Sequence, residues 1–277
     1  MPPSEQIDPR TSMAAYFAYE IRRHRELRGL SQEQLAKELF STRATIQAYE
    51  SQRRRPGPEF AKELDQFFGT DLHFRTLWFH AQREHLKQWL EKYVHHEAQA
   101  IQIKTFQPLL VPGLLQTPDY ARAVLAAGRG PADEDLVRAR LERQAIITRE
   151  APPAPLIWVV LDEAALLRPM GGRDVMVEQL AHLLDLMRLS NVTIQVVPLA
   201  IGAYHGTAGG FQILTVEGRD IAYADAHLGG RLIEEDAEVE HLKTRYDWIR
   251  ARALSVDATA DLITRTMERF RNEDRVA

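Results

Sequence analysis

"SQEQLAKELFSTRATIQAYESQRRRP", residues 31–56, decides how the first part of the chain is read. Ser31 with Gln34 three positions on forms a capping box. The hydroxyl accepts an orphan helical N–H and the carboxamide reaches back, so a helix is predicted from Gln32. Leu35 and Leu39 then share one face of it. Thr42 is a good N-cap for a second short helix, whose Ile46 and Tyr49 point the same way and which ends near Ser51. Ala36 is small where the two helices would cross. Upstream, residues 14–28 read as a helix stopped by Gly29. Downstream, Pro56 and Pro58 introduce another, with Phe60, Leu64, Phe67 and Phe68 on one stripe. Short helices around an apolar centre, two of them joined by a tight corner, make a helix-turn-helix unit.

Composition bounds the rest. A chain of 277 residues, 45% hydrophobic and 27% charged, buries a large core and is expected to form two domains. No apolar run approaches the roughly twenty residues that span a bilayer. The stretch "MPPSEQIDPRTS" has neither signal-peptide nor transit-peptide character, so no membrane partner and cytoplasmic residence are expected. With no cysteine there are no disulfides or thiolate metal sites. The net charge of -4 matters less than its distribution. Between residues 22 and 55, Arg22, Arg23, Arg25, Arg28, Lys37, Arg43, Arg53, Arg54 and Arg55 face only Glu26, Glu33, Glu38 and Glu50, so one end is basic and the remainder acidic.

The residues "RELRGLSQEQLAKEL" and "TRATIQAYESQRRRP" carry a family resemblance. Their Gly-Leu-Ser-Gln entry, Leu-Ala and Thr-Ile pairs, and Glu before a basic, Pro-ended loop resemble the helix-turn-helix of the phage-repressor and Xre class. The resemblance implies that the second helix lies in the major groove of double-stranded DNA, with Thr42, Arg43, Ala44, Gln47 and Ala48 at or near groove-facing positions. Arg43 is the preferred base reader, because its planar fork can bond guanine O6 and N7 together. Gln32 and Thr45 are expected to bond phosphates, and Arg53, Arg54 and Arg55 to add sequence-independent attraction. Arg25 and Glu50 occupy the positions of a helix-to-helix ion pair in that class. Two positions depart from the pattern. Phe40 and Ser41 stand where a corner Gly and an apolar residue are usual, and His24 replaces an apolar core residue and is read as a neutral core histidine.

Beyond Gly69, residues 77–125 and the segments "LDEAALLRPMGG", "VMVEQLAHLLDLMRLSNVTIQVVPL" and "GAYHGTAGGFQIL" resemble the WhiJ-like regulators of actinomycetes, sometimes described as antitoxin-like. That resemblance implies a transcription factor whose larger second region serves dimerisation, partner binding or signal reception, with a small protein encoded nearby as a possible modulator. Taken residue by residue, this region is mixed. Helical spacing runs through Leu77, Trp78, Trp89 and Tyr93, alternation follows at Ala100, Gln102 and Lys104, and a helix begins near Asp119. Residues 134–150 are helical up to the breaker "APPAP". "LIWVVL" and "VTIQVVPL" have strand length and β-branching, with a helix over residues 175–189 between them, which predicts a right-handed crossover between parallel strands. "FQILTV" and "IAYADA" predict a hairpin across "EGRD", and helices over residues 234–254 and 258–271 follow.

The fold class expected is α+β: an all-α, phage-repressor-like bundle over residues 12–70, then a mixed α/β domain over residues 71–277 with a small sheet covered by helices. No catalytic residue, cofactor or metal site is assigned. "HLKTRYD", residues 241–247, lacks the spacing and second copy of a His-x-Lys phosphodiesterase signature and reads as a surface helix. His95, His96 and Glu97 with His85 read as a solvated helix, since residues eleven apart on a straight helix cannot share a metal. Asp162 and Glu163 follow a buried strand, where either a ligand or simple capping is open; with His205 they form the one candidate enzyme set. "IGAYHGTAGG" reads as a long hairpin connection, with a mobile lid or partner-binding loop as the alternative. Two readings of function follow: a homodimeric, sequence-specific DNA-binding regulator on a pseudo-palindromic site, modulated through its second domain by a small protein partner or ligand, or an antitoxin-like protein-interaction module whose bundle leaves DNA alone.

Overall fold

The computed structural model describes residues 7–127, 132–224 and 230–272, with side chains omitted at residues 83 and 85–89. The side chains of His85 and Trp89 therefore lie outside the described residues. The chain divides into two compact units, Met1–Leu90 and Glu91–Ala277. The first contains α1 (Met13–Leu27), α2 (Gln32–Glu38), α3 (Arg43–Glu50), α4 (Pro58–Phe68) and the beginning of α5 (His73–Gln99). Phe17, Ile21, Leu35, Leu39, Ile46, Tyr49, Leu64 and Phe68 form its core together with Phe74 and Leu77. The last two lie on α5, beyond the expected boundary at residue 70, because the bundle needs that helix to close its apolar centre.

Local signals explain the boundaries. Ser31 and Gln34 form the capping box, Thr42 caps α3, and Gly69 takes a left-handed conformation after α4. At the corner between α2 and α3, the Phe40 N–H bonds Lys37 O and the Ser41 N–H bonds Ala36 O, the paired bonds of a Schellman motif. That motif requires positive φ at Phe40, which is observed at 48° with the side chain 101% exposed. The usual turn is thus kept despite a residue that strains it by about 1–2 kcal/mol. Since Phe40 contributes no packing, Phe40→Gly is expected to stabilise the first unit by up to about 1 kcal/mol in urea denaturation followed by circular dichroism. An unchanged or lowered midpoint would show that the corner carries no such strain.

The second unit holds a six-stranded mixed sheet in the order β3-β2-β1-β4-β5-β6: β1 (Gln102–Gln107), β2 (Leu156–Asp162), β3 (Val192–Val197), β4 (Phe211–Val216), β5 (Arg219–Ala224) and β6 (Arg231–Ile233). β1, β2 and β3 run parallel, and β4 pairs antiparallel with β1 and β5. The helices are the end of α5, α6 (Pro118–Ala126), α7 (Glu134–Glu142), α8 (Ala164–Leu167), α9 (Arg173–Leu186), α10 (Asp236–Arg250) and α11 (Val256–Asn272). α10 brings Val239, Tyr246 and Ile249 onto one sheet face, where Phe106, Val160, Phe211 and Ile213 lie. Residues of the opposite parity, Ile103, Thr105, Ile157 and Val159, meet Leu114 and Leu115 on the other face. The predicted crossover is present as parallel β2-α9-β3. The hairpin turn is tighter than expected: only Glu217 and Gly218 lie between strands, both at positive φ, as a type I′ turn requires. The helix predicted over residues 134–150 is shorter, changing to a 3-10 segment at Arg143–Ile147.

The long hairpin expected at residues 201–210 is corrected. β3 and β4 are separated in the sheet by β2 and β1, so this segment is a crossover. It is also anchored: Tyr204 donates to Asp162 Oδ2 at 2.6 Å, the Arg245 guanidinium donates to His205 O, and the His205 ring stacks on Trp248 at 4.5 Å.

Candidate nucleic-acid interface

α3 presents one polar face. Arg43, Ala44 and Gln47 are exposed, as is Thr42 at the cap, with Thr45 and Ala48 half-buried beside them, while Ile46, Tyr49 and Glu50 turn inward. Thr42 is already committed locally: its Oγ1 accepts the Thr45 N–H at 3.1 Å and lies 2.9 Å from Thr45 Oγ1. No hydrogen bond or ion pair engages the Arg43 guanidinium among the described residues. This long cation is the one with free reach at the start of α3.

A buried carboxylate ties the end of that helix to its neighbours. Glu50, the last residue of α3, accepts from Arg25 Nε at 2.6 Å on Oε1 and from Arg25 Nη2 at 3.0 Å on Oε2. Its Oε2 also accepts from Gln32 Nε2 at 2.8 Å, and Arg25 Nη1 donates to Leu30 O at 2.9 Å. One carboxylate therefore joins α1, α2 and α3. The hydrogen bond to Glu50 raises the Arg25 pKa further above its usual value despite burial. Gln32, expected to bond a phosphate, spends its carboxamide donor inside the protein, so any phosphate contact has to be made from that anchored position.

The basic end is also less uniform than its composition. Arg22 pairs with Glu26 and Arg23 with Glu20, Arg25 is clamped, and Arg28 donates to Phe68 O while lying over the rings of Phe67 and Phe68. Among the described residues, the cations of this end outside any hydrogen bond or ion pair are Lys37, Arg43, Arg53, Arg54 and Arg55, all exposed, with the Glu84 carboxylate within electrostatic reach of Arg55. Arg54 lies 5.9 Å over Tyr49, and its backbone N–H bonds Ala48 O, which folds the basic loop back against the end of α3. An exposed helix with a free arginine near its start and three arginines beyond its end can bond base edges and phosphates together.

Among the described residues of the second unit, no comparable set comes together. Asp162 accepts from Ala164 N and Tyr204, and Glu163 accepts from Leu199 N, so both carboxylates cap backbone or pin the crossover. In "HLKTRYD", His241 is exposed and Lys243 pairs with Asp220 and Glu240. Tyr246 points inward and donates to Trp158 O, so the segment is more than a surface helix. The solvated reading of residues 95–97 is corrected. Glu97 is 1% exposed and accepts from Arg143 Nε at 2.7 Å, Arg143 Nη2 at 2.9 Å and the Tyr93 hydroxyl, while His96 Nδ1 meets the Tyr223 hydroxyl. Burial pushes the Tyr93 pKa well up, and the adjacent Glu97 adds to it. The available signal was Tyr93 and Glu97 one helical turn apart; the partner Arg143, far along the chain, could not be seen.

Residues 21–74 match a family model described as "Helix-turn-helix", and residues 90–265 match one described as "Domain of unknown function (DUF5753)". The first is a model of Xre-type DNA-binding regulators. No curated protein and no solved structure matches the chain. Among the described residues, no helix is long and apolar enough to cross a membrane.

Proposed function

The chain belongs to the DUF5753 family and carries a helix-turn-helix domain ahead of that region, and from this premise we propose that it is a sequence-specific transcriptional regulator of the WhiJ-like kind. The observation that carries the reading is the free, exposed Arg43 at the start of a helix whose far end is clamped by Arg25, Gln32 and Glu50. Arg43 reads guanine. Thr42, Ala44, Gln47 and Ala48 line the base edges, Gln32 and Thr45 meet phosphates, and Arg53, Arg54 and Arg55 supply attraction that depends on salt rather than sequence. One such helix spans few base pairs, so two copies act as a homodimer on a pseudo-palindromic site. The second unit holds the dimer and receives a small protein partner, whose binding shifts DNA affinity by a coupling of about 1–3 kcal/mol. The protein works in the cytoplasm, where its operator is.

Selection of duplexes from a random pool at near-physiological salt, with wild type and Arg43→Ala side by side, tests this. Wild type is expected to enrich a two-fold motif, and Arg43→Ala to lose about 1–3 kcal/mol of discrimination at one guanine per half-site. Binding that is weak on every duplex and indifferent to salt would end the DNA reading and leave the protein-interaction module.

A further inference from the structure

Three side chains in the first unit meet away from the helix that faces DNA. Glu20 and His24 stand one turn apart on α1, and His73 is the first residue of α5. Glu20 Oε2 lies 3.0 Å from His73 Nε2 and 3.4 Å from His24 Nε2, and the three donor atoms all fall within 4.8 Å of one another. We infer that Glu20, His24 and His73 form a binding site for a divalent transition metal of the zinc class, with one coordination position left to water.

The geometry carries this beyond a chance meeting of polar groups. Bonds of about 2.0–2.1 Å to a tetrahedral zinc put neighbouring donor atoms about 3.3–3.4 Å apart, so the two measured separations already bracket a ligand edge. Two imidazoles and one carboxylate are a donor set that zinc-class ions favour over magnesium or calcium. Exposure is graded in the right sense: the Glu20 side chain is 3% exposed, that of His24 21% and that of His73 34%, which leaves a buried anchor and an open side for entry and water.

The supports of the rings are rigid. His24 packs on Phe68 and Phe74 at 5.3 and 5.2 Å, and His73 meets Phe74 edge-on at 5.1 Å. The backbone that delivers His73 is held by Asp65, which accepts the N–H groups of Phe74 and Arg75 and the hydroxyl of Thr70. Arg23 also reaches the Glu20 carboxylate, with its Nη1 3.3 Å from Glu20 Oε2. This side chain is largely exposed and competes with the cation for one carboxylate. A metal here would cross-link α1 to α5 through His24, the residue next to Arg25 of the Glu50 clamp.

The test uses the full chain, stripped with a chelator and titrated with Co(II), with Zn(II) as displacing ion. One equivalent of Co(II) is expected to give the visible absorption of a low-coordinate site, lost on adding Zn(II), and Zn(II) is expected to raise the melting temperature by at least about 5 °C. His24→Ala and His73→Ala should each weaken binding by at least about 100-fold, and Arg23→Gln should tighten it, an effect that a purely structural trio would not show. His95→Ala with His241→Ala, both at exposed positions, controls for surface histidines and should leave metal binding unchanged. Should His24→Ala fail to fold, His73→Gln, at the more exposed position, gives the same reading. Absence of binding at micromolar metal, or binding that survives loss of His73, overturns the inference.

Discussion

Glu50→Ala is expected to cost the first unit about 3 kcal/mol, because it takes the main partner from a buried cation and leaves it only the longer contact to Glu26 and the bond to Leu30 O. Arg25 would lose both bonds to the carboxylate, and Gln32 the acceptor of its amide. A loss of that size is a large fraction of the 5–15 kcal/mol that holds a typical domain, and a small helical bundle sits toward the lower end. Amide exchange is the suitable measurement, since it reads α2 and α3 directly: protection there should collapse while the strands of the second unit keep theirs. The matching control replaces Arg25, Gln32 and Glu50 together by apolar residues of similar volume, which should recover much of the lost stability because no charge is left unpaired. A loss below about 1 kcal/mol for Glu50→Ala would mean that the three helices are held by their apolar centre alone.

The second large effect is expected for Glu97→Ala, about 3–5 kcal/mol and this time in the second unit. Arg143 is paired through Nε and Nη2 with Glu97, and its guanidinium also lies 5.1 Å over the Tyr93 ring. Burial works against the charged Arg143, yet its bonds to Glu97 outweigh this and leave its pKa above the ordinary value. Removing the carboxylate turns that balance into an uncompensated charge. Glu97→Gln should cost less, because the amide oxygen can still accept one bond. Urea denaturation followed by exchange at β1 and β2 would decide; equal losses for Ala and Gln would show that charge pairing is not what holds this corner.

The helix-turn-helix was legible because its signals are local. Ser31 with Gln34, Thr42, and Gly69 each act over a few residues, and a periodic face such as Leu35 and Leu39 reports a core without any knowledge of the partner. The order of the β2-α9-β3 crossover was readable for the same reason, each element carrying its own length and branching. Illegible were the choices made by distant residues. β1 was reduced to a weak alternation because its identity comes from pairing with β2 and β4, and the three-residue β6 is too short to show a period. Glu97 looked like surface because Arg143 arrives from 46 positions away. Within the candidate interface, the residue types on α3 were readable, whereas the inward bond of Gln32 to Glu50 needed the fold.

The sheet order has a consequence for how the chain is made. β1 finds Leu156 and its neighbours on one side and, on the other, Thr215 opposite Gln102, so the central strand is synthesised first and its last partner emerges more than a hundred residues later. At usual translation speeds that interval is on the order of 5–20 s. The helical bundle, built from contacts close in sequence, completes in microseconds to milliseconds. A nascent chain therefore displays a finished helix-turn-helix while β1 is still an open edge, so the interval of exposure during synthesis falls on β1 and not on the first unit.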